Sequence, residues 1–255
     1  MVYQRKGINQ LGRETSLYKI SWTKDGWPIA NDGKGPLDTN VRPNLPWTPQ
    51  VNPSSDEFSS SKLGIQWYFR RNPVYADFSL TEKKGHLRIY SGYFDIDTIL
   101  GRNLIVQRER WLKFSATTKL TFNPDTKEQA GITGHYDTKT WARLGMQRGI
   151  DGKLQLVLEE RRYGVKKVLQ VTEDIKSNTV YLRMAVNKLQ RSFYYSYDGK
   201  NWISAGDIPD AAFLSDQGTT QWPFMGMMTG VYSFNRGTGK KIPADFDFFR
   251  IEVEE

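Results

Sequence analysis

The chain has no cysteine in 255 residues, which excludes a disulfide framework, a thiolate zinc site and a cysteine nucleophile. That absence fits a cytoplasmic protein and many bacterial secreted proteins alike, so the compartment stays open. Its two histidines, His86 and His135, stand far apart, so neither a histidine metal cluster nor histidine-dependent acid–base catalysis is expected. No apolar run approaches about eighteen residues, and MVYQRKGINQ has no apolar stretch behind its charges, so neither a membrane span nor a secretory leader is expected. Concentrated basic runs are missing too. The formal net charge is +8, from 36 Lys and Arg against 28 Asp and Glu, but the bases are scattered among acids and the densest is the pair Lys166 and Lys167. Nucleic acid is therefore not an expected partner.

What is present points to β structure. A hydrophobic content of 38% supplies a core, and 13% aromatics with 22 Gly and 11 Pro favour half-buried strands joined by many turns. After Pro53 the chain reads as strand-length runs: HLRIY, NLIVQRE, FSATTKLTF, QAGITGHY and WARLGMQRG. A helix competes over Leu154 to Val171, but Leu154, Leu156 and Leu158 alternate with other residues, Tyr163 and Gly164 form a turn signal, and alternation resumes at Val165. That spacing predicts a hairpin. Further strands are TVYLRMAVN, a pair around Asp198 and Gly199, FMGMMTGVYSF and FDFFRIEVE. The expected fold is all-β, an antiparallel two-sheet β-sandwich. The first fifty residues offer only two candidate strands, MVYQ and TSLYKISW, too few for a sheet, and the Pro/Gly/Asn-rich stretch at 31–57 predicts an extended surface path.

The string LGRETSLYKISWTKDGWPIAND, with Gly12 to Thr15, Trp22 and Asp25 to Pro28, resembles the end of the catalytic propeller of glycoside hydrolase family 43. The order of DEFSSSKLGIQWYFRRNP, FSLTEKKGHLRI, SATTKL, AGITGHYD, FYYSYDGKNW and IPADFDFF resembles the accessory sandwich of β-xylosidases in that family. The resemblance implies a concanavalin A-like jelly roll over 51–255, with 1–50 a remnant of the last propeller blade plus connector. It also implies that the three essential acids of the propeller lie upstream of this segment, so the chain is expected to be a fragment or truncated product without catalysis of its own. No independent carboxylate pair is evident: Glu82, Glu109, Glu159 and Glu160 read as solvated or ion-paired strand residues.

The implied role is binding xylan or xylo-oligosaccharide, completing the active site of a family 43 propeller domain, or both. The rivals are a purely structural cover for the propeller and a self-contained hydrolase. Sugar binding needs aromatic platforms beside polar groups, and the candidates are Trp67, Trp141, Tyr195 and Trp202. Trp141 stands out as a loop-to-strand residue near His135, Tyr136 and Asp137. Tyr68 must point away from Trp67 and Phe69, leaving one face for the core. By the resemblance, Trp222 and Phe224 in QWPFMGMM reach the propeller's sugar pocket. A structural calcium is a further expectation, from Asp56, Glu57, Asp245 and Asp247 near the two ends of the sandwich; alternation places Asp245 and Asp247 on one face and Phe246 and Phe248 on the other. An unpaired strand edge in the first fifty residues makes a homodimer a further expected association.

Overall fold

The computed structural model describes residues 2–3, 9–15, 17–35, 37, 39–48, 53–221 and 223–254. Alternation in the sequence becomes strand after strand. Four short strands open the chain, β1 (Val2–Tyr3), β2 (Glu14–Thr15), β3 (Ile20–Trp22) and β4 (Pro28–Ala30), paired as two small hairpins. TSLYKISW is thus not one strand: β2 ends at Thr15, and only its last three residues form β3. Residues 39–48 form no strand and lie exposed, as their prolines and asparagines require.

The sandwich follows: β5 (Tyr68–Phe69), β6 (Phe78–Ser79), β7 (Leu87–Tyr90), β8 (Leu104–Arg108), β9 (Lys113–Phe122), β10 (Gln129–Asp137) and β11 (Thr140–Arg148). Next come β12 (Leu154–Arg162), β13 (Val165–Thr172), β14 (Thr179–Asn187), β15 (Gln190–Ser196), β16 (Ile203–Ile208), β17 (Met228–Phe234) and β18 (Pro243–Val253). They form two antiparallel seven-stranded sheets. The first runs β13-β12-β11-β10-β17-β8-β5 and the second β16-β15-β14-β9-β18-β7-β6. The predicted hairpin over Leu154 to Val171 is β12–β13, turning at Tyr163 and Gly164, both with positive φ. Asp198 and Gly199 turn β15 into β16, with the Asp198 carboxylate accepting from the backbone N–H groups of Lys200 and Asn201 at 2.8 Å.

The core lies between the sheets. Strand β14 shows the rule: Val180, Leu182, Met184 and Val186 face inward, while Thr179, Tyr181, Arg183 and Ala185 face the other way. The expected alternation at the C-terminus fails. A bulge in β18 sets a step of three residues, from Phe246 to Phe249, against a step of two, from Leu120 to Thr118. Phe246 and Phe249 therefore both enter the core, and Phe248 packs outside against Tyr181 and under the guanidinium of Arg250, 4.1 Å from its ring centroid.

One ion pair is sealed between the sheets at an end of the core. Arg191 on β15 donates to Glu109, just after β8, at 2.8 Å, and both side chains are wholly buried. Burial pushes the Glu109 carboxyl up and the Arg191 guanidinium down, and each charge counters the shift of the other. Replacing Arg191 by Met leaves a buried carboxylate without its cation, so urea unfolding should show a loss of about 3–5 kcal/mol, partly recovered by adding Glu109→Gln. A loss below ~1 kcal/mol would mean that the pair does not hold the two sheets together.

Candidate functional site

The strands of the first sheet are buried on both faces at its centre. On β10 and β11, Ala130, Ile132, Ala142 and Leu144 face the core, so Gln129, Thr133, His135, Trp141 and Arg143 face outward. These outward residues are nevertheless covered. Arg143 has no exposed surface, and the segment 93–102 lies over it. Its guanidinium meets Asp95 through two bonds of 2.5 and 3.0 Å and Glu159 at 2.9 Å. Arg236 stands 3.5 Å from Asp95 and 3.7 Å from Glu159, and Lys166 is 4.0 and 3.8 Å from the same two carboxylates. Burial opposes ionisation of both acids, but these cations outweigh it and hold both carboxyls below their ordinary range.

The covering segment is fastened along its length. Arg70 donates to the carbonyls of Ile96, Thr98 and Gly101 at 2.7 to 3.1 Å, and Arg161 donates to that of Asp97 at 2.6 Å. Beneath it, Ile96 joins Leu104, Val106, Met228, Tyr232 and Phe234 in a second apolar cluster. At the centre of this sheet the outer face is therefore an interior surface, while the edge strand β13 stays exposed.

Two open features remain at one end of the sheet. The first is a cleft of about 590 Å³, lined by Tyr68, Arg70, Arg71, Leu104, Val106, Arg108, His135, Asp137, Thr138, Gln221, Met225 and Met228. The second is the loop before β17, which meets the N-terminal segment. There Asp216 donates its N–H to the Asn9 carbonyl at 3.2 Å, and Met227 to that of Gln10 at 2.7 Å. Gly12 and Gly226, both with positive φ, lie backbone to backbone: a Cβ on Gly226 would stand 2.3 Å from the Leu11 carbonyl oxygen. Phe224 is 46% exposed, with the guanidinium of Arg13 4.1 Å from its ring centroid. Tyr136 braces the loop from below. Its hydroxyl donates to the Asp216 carboxylate and accepts the Met225 N–H at 3.2 Å.

The expected sugar platforms are placed differently from one another. Trp141 is not at an open boundary: it has no exposed surface and lies under Arg143, 4.2 Å from its ring centroid. Trp67 is core, packed on Phe58 and Phe249, with its indole N–H donated to Asp56 at 2.8 Å. Tyr195 is core as well, edge-on to Tyr197. Trp202 is half-buried and stacked by the guanidinium of Arg183 at 3.9 Å. Trp222 lies outside the described residues. Of the rings at these positions, Phe224 alone among the described ones is more than a third exposed, and it lies in the loop that meets residues 9–13.

The acids expected to hold calcium are occupied by the protein. Asp56 accepts from Trp67 and from the Phe58 N–H; Asp245 is held by Arg88 and Lys83; Asp247 pairs with Lys119 and Glu57 with Arg250. No group of three or more His, Asp or Glu converges among the described residues. The three arginines of the cleft and the Arg143 cluster were not read from the sequence. The consecutive Arg70 and Arg71 after an aromatic strand are the local signal for the first, and Arg143 amid the apolar WARLGM is the signal for the second.

A two-sheet antiparallel sandwich of this kind is a concanavalin A-like fold. The chain belongs to the family described as the beta xylosidase C-terminal concanavalin A-like domain, whose model matches residues 55–252. It is 30% identical over 266 residues to a beta-xylosidase of Bacillus subtilis, covering 98% of this chain and 48% of that protein. It is 29% identical over 249 residues to the non-reducing end alpha-L-arabinofuranosidase BoGH43B of Bacteroides ovatus, covering 94% of this chain and 45% of the other. The solved GH43 protein BlXynB of Bacillus licheniformis superposes with a TM-score of 0.92 at 37% identity, over 98% of this chain and 49% of that one. The chain thus spans about half the length of the curated relatives it matches.

Acid should loosen the seal. The lowered carboxyl pKa values of Asp95 and Glu159 contribute stability that is complete above their unfolded values of about 4 and is lost as pH falls through the folded ones. The urea midpoint should drop between pH 5 and pH 3, and the drop should be smaller in Arg143→Gln, which starts from lower stability. Equal pH slopes in the two proteins would disconnect the cluster from acid unfolding.

Proposed function

We propose that this chain acts as the C-terminal accessory module of a family 43 β-xylosidase or arabinofuranosidase, docking on the catalytic propeller and closing its sugar pocket with Phe224. One observation carries the reading: residues 9–13 are joined to the loop before β17 by backbone hydrogen bonds, and Phe224 stands half-exposed beside that junction. The family assignment supports it, because the relatives are named as beta-xylosidases and an arabinofuranosidase of about twice this length. Xylan or xylo-oligosaccharide then meets the module at the rim of the propeller. Trp67, Trp141 and Tyr195 serve packing, and catalysis belongs to the propeller's own acids.

The rival is a module that merely covers apolar propeller surface. Phe224 and Met225, which is 44% exposed, would then be buried against the propeller without touching sugar. The readings separate in a fusion of this chain to a family 43 propeller. Closure predicts that Phe224→Ala lowers kcat/KM on xylobiose about tenfold, equivalent to ~1.4 kcal/mol of transition-state stabilisation, with the melting temperature unchanged. Unaltered kinetics would leave the covering role. The chain alone should release no xylose from xylobiose, and measurable turnover would return the self-contained hydrolase to consideration.

A further inference from the structure

The cleft at the open end of the first sheet lies beside the loop that carries Phe224 and is lined mainly by residues outside that loop. Its volume of about 590 Å³ falls in the range of small-molecule sites, ~300–1,000 Å³. Leu104, Val106 and Met228 give it an apolar floor, and Tyr68, 50% exposed, supplies an aromatic wall. Three guanidiniums line it, those of Arg70, Arg71 and Arg108, against the single carboxylate of Asp137.

That carboxylate is engaged elsewhere. Asp137 accepts from the Lys139 N–H at 2.7 Å and from the Thr219 hydroxyl. Arg70 spends its donors on three backbone carbonyls, and the charges of Asp137, Asp97 and Asp95 favour its cationic form. Burial pulls that guanidinium down to about 10, which still leaves it cationic at neutral pH. Arg108 likewise gives Nη1 to a carbonyl, that of Met225, at 2.5 Å. Arg71 is exposed, is held at φ 58, and forms no hydrogen bond or ion pair among the described residues. His135 completes the lining. His135 is 5% exposed, and its Nδ1 has no hydrogen-bond partner among the described residues. Burial, then the charges of Arg70 and Arg143, push the imidazole well below its usual range. It is a neutral polar group waiting for a partner.

The geometry points to a binding site for a carboxylate carried on a sugar: a uronic-acid-bearing oligosaccharide, its ring against Tyr68 and its carboxylate taken by Arg71 and Arg108. Charge selects the carboxylate, since guanidinium forks match its geometry. The aromatic wall and apolar floor select a ring with an apolar face, and Thr138, Gln221 and His135 offer hydrogen bonds to hydroxyls. The cleft shares Gln221 and Met225 with the loop that carries Phe224, so an acidic branch would lie beside the xylan delivered there. The choice of a xylan backbone rests on the family reading. The test needs no propeller, so its failure and a failure of the Phe224 role are told apart.

The full chain is titrated calorimetrically with glucuronic-acid-substituted xylotriose, with neutral xylotetraose and with inorganic phosphate. The acidic oligosaccharide should bind at least about tenfold more tightly than the neutral one, and more weakly in high salt. Arg71→Gln and Arg108→Gln should each weaken it about tenfold, with melting temperatures unchanged. Equal affinity for the acidic and neutral sugars, no binding of the acidic one, or acidic binding indifferent to both substitutions would overturn the site. Phosphate competing as well as the sugar acid would overturn the saccharide assignment.

Discussion

A guanidinium with no exposed surface on the outer side of a β-sheet is the constraint from which the arrangement of this molecule follows. Arg143 cannot stay buried unless its charge is answered, and β12 provides one answer in Glu159. The second, Asp95, comes from outside the sheet and brings the segment 93–102 with it. Once that segment is in place, Ile96 gains an apolar cluster to close, and Arg70 and Arg161 find carbonyls to bind. An exposed antiparallel face thereby becomes interior.

Sealing that face moves the open chemistry to one end of the sheet. The loop before β17, braced by the Tyr136 hydroxyl, grips residues 9–13 through backbone hydrogen bonds and carries Phe224 at its surface. Gly12 and Gly226 permit this because two backbones meet where no side chain fits. The cleft lined by arginines opens beside the same loop. The loop that carries Phe224 and the polar cleft are thus neighbours at one end of the sheet.

Much of the fold was legible because its signals are local. Tyr163 and Gly164, and Asp198 and Gly199, announce their turns by residue type, and TVYLRMAVN shows its inward face by simple alternation. The bulge at Phe246 to Phe249 was not legible, since ADFDF at 244–248 alternates on paper and only the pairing with β9 reveals the extra residue. The site suffered from the same blindness to distance. Trp141 reads as a ligand platform from its neighbours, yet it is buried by a contact that depends on Asp95, 46 positions earlier in the numbering. Arg71 and Arg108 lie on different strands or loops and share a cleft only after β5 pairs with β8.

The N-terminal segment at Asn9 and Gln10 is held by the sandwich through the loop that carries Phe224. Residue-resolved amide hydrogen exchange on the full chain tests it most directly, because the N–H groups of Asp216 and Met227 have Asn9 and Gln10 carbonyls as their partners. Both amides should exchange as slowly as those of the interior strands β10 and β17. Exchange of both amides at the rate of exposed loop residues, with β10 and β17 still protected, would contradict it.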